Sequence, residues 1–156
     1  MTAADRIPGP SILFCPADRP DRYAKAAAVA DAVILDLEDA VAPADKAAAR
    51  EHVAASTLDP ERTIVRVNPV GGETAEEHRL DLTALDGGRY RTLMVAKVED
   101  PTQLDHLHEA DYRVIALCET AAGVEHAFEI ARHQAVVALM WGAEDLVASM
   151  GGKSSR

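Results

Sequence analysis

Residues 32–69 read AVILDLEDAVAPADKAAAREHVAASTLDPERTIVRVNP, and this stretch decides the fold. It opens on a short apolar run, 32–35, that closes on Asp36. The alanine-rich segment 43–55 follows, and alanine is the residue that most favours a helix. The β-branched run 63–67 then predicts a second strand. A strand, a helix and a strand in this order predict a right-handed βαβ unit with two parallel strands.

The same alternation continues on both sides of this stretch. Short apolar runs predict further strands at 12–15, 92–96, 113–118 and 135–141. Helices are predicted at 20–30, 78–85, 101–108 and 124–132. Strands this short and apolar on both faces suit a parallel sheet buried between helices. Two α/β architectures fit, a (β/α)8 TIM-type barrel and a doubly wound open sheet. No Gly-x-Gly-x-x-Gly follows the first strand, which disfavours the dinucleotide-binding form of the open sheet.

The length of the chain sets how much of a barrel it can hold. The 156 residues are 48% hydrophobic, which is typical of one globular domain. A complete barrel needs eight strands and roughly 250 residues. We therefore expect residues 1–156 to form a single, incomplete barrel domain with about the first six β/α units. Because residues 151–156 resemble a loop, we also expect the natural protein to be longer.

Composition argues against several functional classes. The formal net charge of −10 disfavours nucleic acid as a partner, since nucleic-acid binding needs a basic patch. No apolar run approaches the roughly 18 residues of a membrane span, and no signal peptide is apparent. Cys15 and Cys118 lie inside apolar runs, so we expect buried, reduced thiols and a cytoplasmic protein.

Ionisable side chains follow five successive predicted strands. In parallel α/β folds the chemistry gathers at the carboxyl ends of the strands. Each residue alone could be a helix cap, a structural ion pair or a surface group. Together they favour a site, because one edge of the sheet collects them all. The residues are Asp36, Glu38 and Asp39 after the second strand, Arg66 in the third, Lys97 after the fourth, Glu119 after the fifth, and Glu144 and Asp145 after the sixth.

These residue types indicate a particular chemistry. Glu119 and Asp145 follow adjacent strands and could together hold a hard divalent cation such as Mg2+, which takes one or two protein carboxylates and several waters. Arg66 beside the metal could hold a substrate carboxylate or enolate with its planar fork. The segment 142–144 begins with glycine and lets backbone N–H groups approach a carboxylate. The pattern predicts a site for an oxo-acid or hydroxy-acid, whereas the histidines show no zinc-ligand spacing.

Six segments occur in the order found in the citrate lyase β-subunit family, and the chain resembles this family over residues 11–155. The family belongs to the aldolase superfamily that also contains the malyl-CoA lyases, and the similarity looks closest to the stand-alone citrate lyase β-like proteins. The segments are FCPADRPDR at 14–22, LDLED at 35–39, VRVN at 65–68, KVE at 97–99, ETAAG at 119–123 and WGAEDL at 141–146.

The resemblance implies a fold, an assembly and a reaction. It implies a (β/α)8 barrel that is usually a homotrimer and depends on Mg2+. It also implies reversible cleavage of a β-hydroxyacyl-CoA, of the citryl-CoA or malyl-CoA type, into an acyl-CoA and a keto acid such as oxaloacetate or glyoxylate. The implied partners are therefore small molecules, a CoA thioester and a keto acid.

The resemblance also assigns roles to individual positions. Glu119 and Asp145 resemble the metal ligands, and Arg66 resembles the residue that binds the keto-acid oxygen and stabilises an enolate. Glu38 and Asp39 resemble carboxylates that order metal-bound water and the acid–base network, with Lys97 as a supporting cation. The remaining positions resemble binding groups: the backbone of Ala143, Glu144 and Asp145 for the keto-acid carboxylate, and Arg19 for a phosphate of CoA.

Two other functions fit the same sequence. The site could instead hydrolyse the thioester, or condense it with a different keto acid, using the same Mg2+ and Arg66. Alternatively, the chain could be a non-catalytic barrel fragment.

Overall fold

A computed structural model describes residues 7–153, which form one sheet of six parallel strands. Each strand pairs with its neighbour in sequence, so the order in space is the order along the chain. The strands are β1 (Ile12–Pro16), β2 (Ala32–Asp36), β3 (Thr63–Val67), β4 (Thr92–Val95), β5 (Arg113–Cys118) and β6 (Val136–Trp141).

The strand order decides between the two architectures that the sequence left open. A doubly wound sheet reverses its strand order at a switch point. The order here runs from β1 to β6 without reversal, as in the (β/α)8 barrel. The predicted fold class, a TIM-type barrel present as about six β/α units, is confirmed.

Helices connect the strands, and several begin as a tight turn of 3-10 helix at a proline. Such turns cover Pro20–Arg22, Pro43–Asp45 and Pro101–Leu104. Proline suits a helix start because its φ is already helical and its missing N–H needs no acceptor there. The α-helices are α1 (Tyr23–Val29), α2 (Lys46–Ala55), α3 (Ala75–Leu85), α4 (Asp105–Glu109), α5 (Ala121–Glu125), α6 (Ala127–Ala131) and α7 (Ala143–Ser149).

Two helix predictions need correction, and one further helix was missed. The predicted helix 124–132 is wrong as a single element, because the chain forms α5 and α6 with His126 between them. The predicted helix 78–85 begins three residues earlier, at Ala75, where Glu76 and Glu77 favour the first turn. Helix α7 was not predicted; its short length gives little apolar periodicity.

Alternate strand residues form two apolar layers. One face of the sheet packs against the helices, for example through Leu35, Val65 and Leu93. The other face carries Ile34 and Ile64 in a separate inner cluster. Successive side chains of a strand point to opposite faces, so every second residue lies on the inner face. On that face the apolar residues are followed by the polar residues at the strand ends. The inner face thus leads directly to the candidate site.

Other features agree with the sequence or extend it. Cys15 and Cys118 are free and buried, as predicted. Large apolar side chains of the two outermost strands are partly exposed, among them Phe14 of β1 and Trp141 of β6. Within residues 7–153, no helix is long and apolar enough to cross a membrane.

Candidate active site

The carboxyl ends of β2 to β5 bring the predicted ionisable residues to one rim of the sheet. This rim cluster is linked by ion pairs and hydrogen bonds between side chains that are far apart in sequence. Its members are Asp36, Glu38, Arg66, Lys97 and Glu119.

Arg66 is largely buried on the inner face, and Asp36 is its main partner. Its Nε donates to Asp36 Oδ1 at 2.8 Å and its Nη2 to Oδ2 at 2.5 Å. The guanidinium also stacks over the Phe14 ring, 5.1 Å from its centroid. Burial opposes the charge, but the hydrogen bonds to Asp36 and the negative charges of Asp36, Glu38 and Asp39 together outweigh it and raise the pKa of Arg66. The guanidinium is therefore a fixed cation.

Glu38 lies between two cations. Lys97 Nζ donates to its Oε1 at 2.5 Å, and Arg66 Nη1 lies 2.9 Å from its Oε2. This second contact is an ion pair without hydrogen-bond geometry, and Oε2 has no hydrogen-bond donor among residues 7–153. Burial raises the pKa of Glu38, although Lys97 and Arg66 oppose that effect. Glu38 therefore keeps its proton to a higher pH than an exposed glutamate does.

Lys97 links Glu38 to Glu119. Its backbone adopts a left-handed conformation, with φ of 53°, which is uncommon for a residue with a side chain. In this conformation its N–H donates to Glu119 Oε1 at 3.1 Å while its Nζ reaches Glu38. The strained residue thus serves two carboxylates at once.

Glu119 is buried against a glycine. Glu119 is only 1% exposed, and a Cβ added at Gly142 would lie 2.4 Å from the Oε2 atom of Glu119. Burial raises the pKa of Glu119 to about 7; the charge of Lys97 opposes this, and the charges of Asp145 and Glu38 add to it. A cation next to Glu119 and Asp145 would offset their repulsion.

This donor set fits Mg2+. Two carboxylates supply hard oxygen ligands, and Mg2+ ordinarily keeps several waters in addition to one or two carboxylates. Residues 7–153 contain no group of three or more His, Cys, Asp or Glu side chains arranged to hold a metal. A metal here would therefore depend on Glu119, Asp145 and non-protein ligands.

The other predicted residues are more peripheral. Asp39 is exposed, and its Oδ2 lies 3.6 Å from Lys97 Nζ. Ala143 and Glu144 are exposed in the first turn of α7, beside half-buried Asp145. Arg19 forms a two-point ion pair with Asp21 at 3.0 Å on the surface. The structure thus brings Asp39 to the rim cluster, while the guanidinium of Arg19 is already paired.

Sequence reasoning missed two features of this region. Asp36 was predicted to lie at this edge but was given no role in the site, although it pairs with Arg66 in the strand register. A buried polar network behind the rim was not anticipated at all, because its members come from helices and loops that meet only in three dimensions. Its members are Lys46, Arg50, Asn68, His78 and Asp81.

Comparison with known proteins gives consistent matches. A family model described as HpcH/HpaI aldolase/citrate lyase matches residues 10–156. The chain is 56% identical over 151 residues to the citrate lyase subunit beta-like protein of Mycobacterium tuberculosis, which covers 97% of this chain and 54% of that protein. It is 38% identical over 157 residues to an L-malyl-CoA/beta-methylmalyl-CoA lyase of Cereibacter sphaeroides, covering 89% of this chain and 49% of the lyase.

A further relative is named as a thioesterase, an enzyme that hydrolyses a thioester. A (3S)-malyl-CoA thioesterase of Cereibacter sphaeroides is 33% identical over 145 residues, covering 90% of this chain and 50% of the thioesterase. This chain therefore spans about half the length of the curated relatives it matches.

Solved structures are similar over nearly the whole chain. CitE of Mycobacterium tuberculosis, in complex with magnesium, acetoacetate and coenzyme A, matches with a TM-score of 0.88 and 54% identity, covering 96% of this chain and 54% of that chain. The citrate lyase beta subunit of the same organism, in complex with oxaloacetate and magnesium, matches with a TM-score of 0.89 and 52% identity, covering 99% of this chain and 67% of that one.

Proposed function

This chain belongs to the HpcH/HpaI aldolase/citrate lyase family, and on that premise we propose that its rim cluster is part of an Mg2+-dependent carbon–carbon lyase site. The substrate would be a β-hydroxyacyl-CoA of the citryl-CoA or malyl-CoA type. The products would be an acyl-CoA and a keto acid such as oxaloacetate or glyoxylate.

One observation carries the proposal. Buried Glu119, whose pKa is raised to about 7 by burial and by neighbouring carboxylates, is joined through Lys97 and Glu38 to the fixed guanidinium of Arg66. Perturbed carboxylates beside an oriented cation are a common property of active sites. The similar CitE structure with magnesium, acetoacetate and coenzyme A supports the same ligand classes for this chain.

Glu119 and Asp145 would hold the metal. Bound there, Mg2+ would act as a Lewis acid on an oxygen of the keto-acid half. The backbone N–H groups at the start of α7, from Ala143 to Asp145, would bind the keto-acid carboxylate, since a helix N-terminus favours negative charge.

Arg66 would bind the reacting oxygen. Asp36 occupies its Nε and Nη2, whereas the Nη1 ion pair with Glu38 lacks hydrogen-bond geometry. Nη1 can therefore donate to an oxygen that becomes more negative in the transition state.

The proton would pass through the carboxylates of the rim. As the hydroxyl loses its proton, the bond between the hydroxyl-bearing carbon and the α-carbon of the thioester breaks, and its electron pair moves onto the thioester as an enolate. Glu38 and Asp39 would accept and return the proton, and Lys97 would stabilise the carboxylate form of Glu38. Arg19 would contact a phosphate of CoA after leaving Asp21.

A product assay tests this function. The protein would be incubated with malyl-CoA or citryl-CoA, with Mg2+ or with EDTA, and keto acid, acyl-CoA and free CoA would be quantified. We expect Mg2+-dependent release of keto acid and acyl-CoA in equal amounts. Absence of keto acid and acyl-CoA with both thioesters would reject the lyase, and absence of free CoA as well would favour a non-catalytic fragment.

Thioester hydrolysis is the second candidate, and the malyl-CoA thioesterase relative favours it. Hydrolysis would release free CoA and the intact hydroxy diacid, so the same assay separates the two reactions. The proposal also includes the homotrimer and the cytoplasmic location, and sedimentation of the purified protein would test the trimer.

A further inference from the structure

The buried polar network lies directly behind the rim cluster, where α2 and α3 meet the loops that follow β2 and β3. It includes Lys46, a lysine that is only 9% exposed and, among residues 7–153, has no carboxylate partner. A buried ammonium is costly unless all its donors are satisfied. The proposed catalytic roles do not include Lys46, so they do not explain why this lysine is buried and hydrogen-bonded here.

Lys46 is the first residue of α2 and holds two loops together. Its Nζ donates to the carbonyl oxygen of Leu37 at 2.6 Å and to that of Glu38 at 3.0 Å. A third bond, at 2.9 Å, goes to Asn68 Oδ1 in the loop after β3. An ammonium has three hydrogens, so these bonds use all of its donors. Lys46 can act on a ligand only through the groups it holds.

Asn68 connects this lysine to the helices. Its Nδ2 donates to the Leu37 carbonyl at 3.1 Å and to Asp81 Oδ2 at 2.7 Å. Asp81, which is fully buried on α3, also accepts from Arg50 Nε of α2 at 2.7 Å. The two loops are thus joined by hydrogen bonds to buried side chains of α2 and α3.

Hydrogen bonds hold the backbone of Glu38 in place. Its own N–H donates to Asp36 Oδ1 at 2.9 Å, and its carbonyl accepts from Lys46 on the other side. Both backbone groups of Glu38 are therefore fixed, and its side chain points to Arg66 and Lys97.

We propose that Lys46 is a positioning residue of the rim cluster: it fixes the backbone at Leu37 and Glu38 so that the Glu38 carboxylate lies between Arg66 and Lys97. The expected effect on keto-acid binding rests on the proposed function, whereas the effect on the loop does not.

The test compares Lys46→Met with Lys25→Met, a matched change of an exposed lysine on α1. Methionine keeps the length and the helix propensity of lysine but donates no hydrogen bond. Hydrogen exchange of residues 37–41 would report on the loop. Calorimetric titrations of Mg2+, and of oxaloacetate at saturating Mg2+, would report on the site. If Lys46→Met fails to fold, Lys46→Gln carries the same comparison, because its shorter neutral amide cannot reach all three acceptors.

We expect Lys46→Met to speed exchange at residues 37–41 by about tenfold, as loss of one or two hydrogen bonds implies. We expect oxaloacetate affinity to fall on the order of tenfold, as for other supporting residues behind a site, with Mg2+ affinity unchanged. Unchanged exchange at 37–41, or equal losses in Lys25→Met, would overturn the proposal. If the unsubstituted protein binds no keto acid, the proposed function fails, and the exchange result alone decides the role of Lys46.

Discussion

Asp36 and Arg66 are partners in the register of β2 and β3, and their side chains form a two-point ion pair on the inner face of the sheet. Both side chains are largely buried, at 2% and 11% exposure. The pair fixes the plane of the guanidinium and directs Nη1 towards Glu38 at the rim. A ligand can therefore approach Arg66 from only one edge of its fork.

Arg66→Ala should destabilise the protein and abolish cleavage. It leaves Asp36 buried without its cation and Glu38 paired with Lys97 alone, and breaking a buried pair costs about 3–5 kcal/mol. Mg2+ binding should survive in the folded variant, because Glu119 and Asp145 follow other strands. Urea unfolding, Mg2+ titration and the product assay measure the three effects. Arg89→Ala, at an exposed arginine, is the control. Cleavage by the Arg66 variant at the rate of the unsubstituted protein would refute its role.

Mg2+ affinity should rise with pH through about 7. The pKa of Glu119 is raised to about 7, so the folded protein still holds this proton at pH 6, and Mg2+ must displace it. Each unit below that pKa should weaken binding by up to about tenfold. Calorimetric titration at pH 6, 7 and 8 measures the change. An affinity that does not vary over this range would count against Glu119 as a ligand.

Glu119→Gln should stabilise the metal-free protein at pH 8. Because folding raises the pKa of Glu119 from 4.5 to about 7, its contribution to stability is fully present below pH 4.5 and is lost as pH rises through 7. The loss is on the order of 3 kcal/mol. Thermal unfolding at pH 5 and pH 8 without Mg2+ tests this, with exposed Glu125→Gln as the control. Equal melting temperatures of Glu119→Gln and the unsubstituted protein at pH 8 would contradict it.

Gly142→Ala should displace the Glu119 carboxylate. The added Cβ would lie 2.4 Å from Glu119 Oε2 and 3.0 Å from its Cβ, so the side chain must move. We expect about 1–3 kcal/mol of destabilisation, as for overpacking elsewhere, and clearly weaker Mg2+ binding. Thermal unfolding and Mg2+ titration measure both effects. Ala148→Ser, on the exposed part of α7, should change neither. Normal Mg2+ affinity in Gly142→Ala would exclude Glu119 from the metal site.

Asp81→Ala should be among the most destabilising changes to the network behind the rim. Asp81 is fully buried and accepts hydrogen bonds from Asn68 and from Arg50. Its loss removes the acceptor of two Asn68 donors and leaves Arg50 paired with the more exposed Glu77, at a cost of about 3–5 kcal/mol. Chemical denaturation measures this against Asp86→Ala, an exposed aspartate just beyond the same helix. A loss no larger than that of the control would show that the network contributes little to stability.

The predicted bounds of strands and helices were accurate where the local sequence pattern was strong and inaccurate where it was weak. The strands 63–67 and 113–118 have the predicted bounds, because apart from one arginine each consists of apolar or β-branched residues. The predicted single helix 124–132 was wrong, since apolar content alone does not reveal the break at His126. Lys46 reads as an ordinary helix residue, because its acceptors lie up to 22 residues away.

The sequence by itself determined the alternation of parallel strands and helices, and with it the edge where the ionisable residues meet. The physical reason is that strand polarity sends the end of every parallel strand to the same side. Only the tertiary structure decided the order of the strands and the partners of the charges. Side-by-side packing sets the register that joins Asp36 to Arg66, and packing of α2 over the sheet buries Lys46 beneath Glu38.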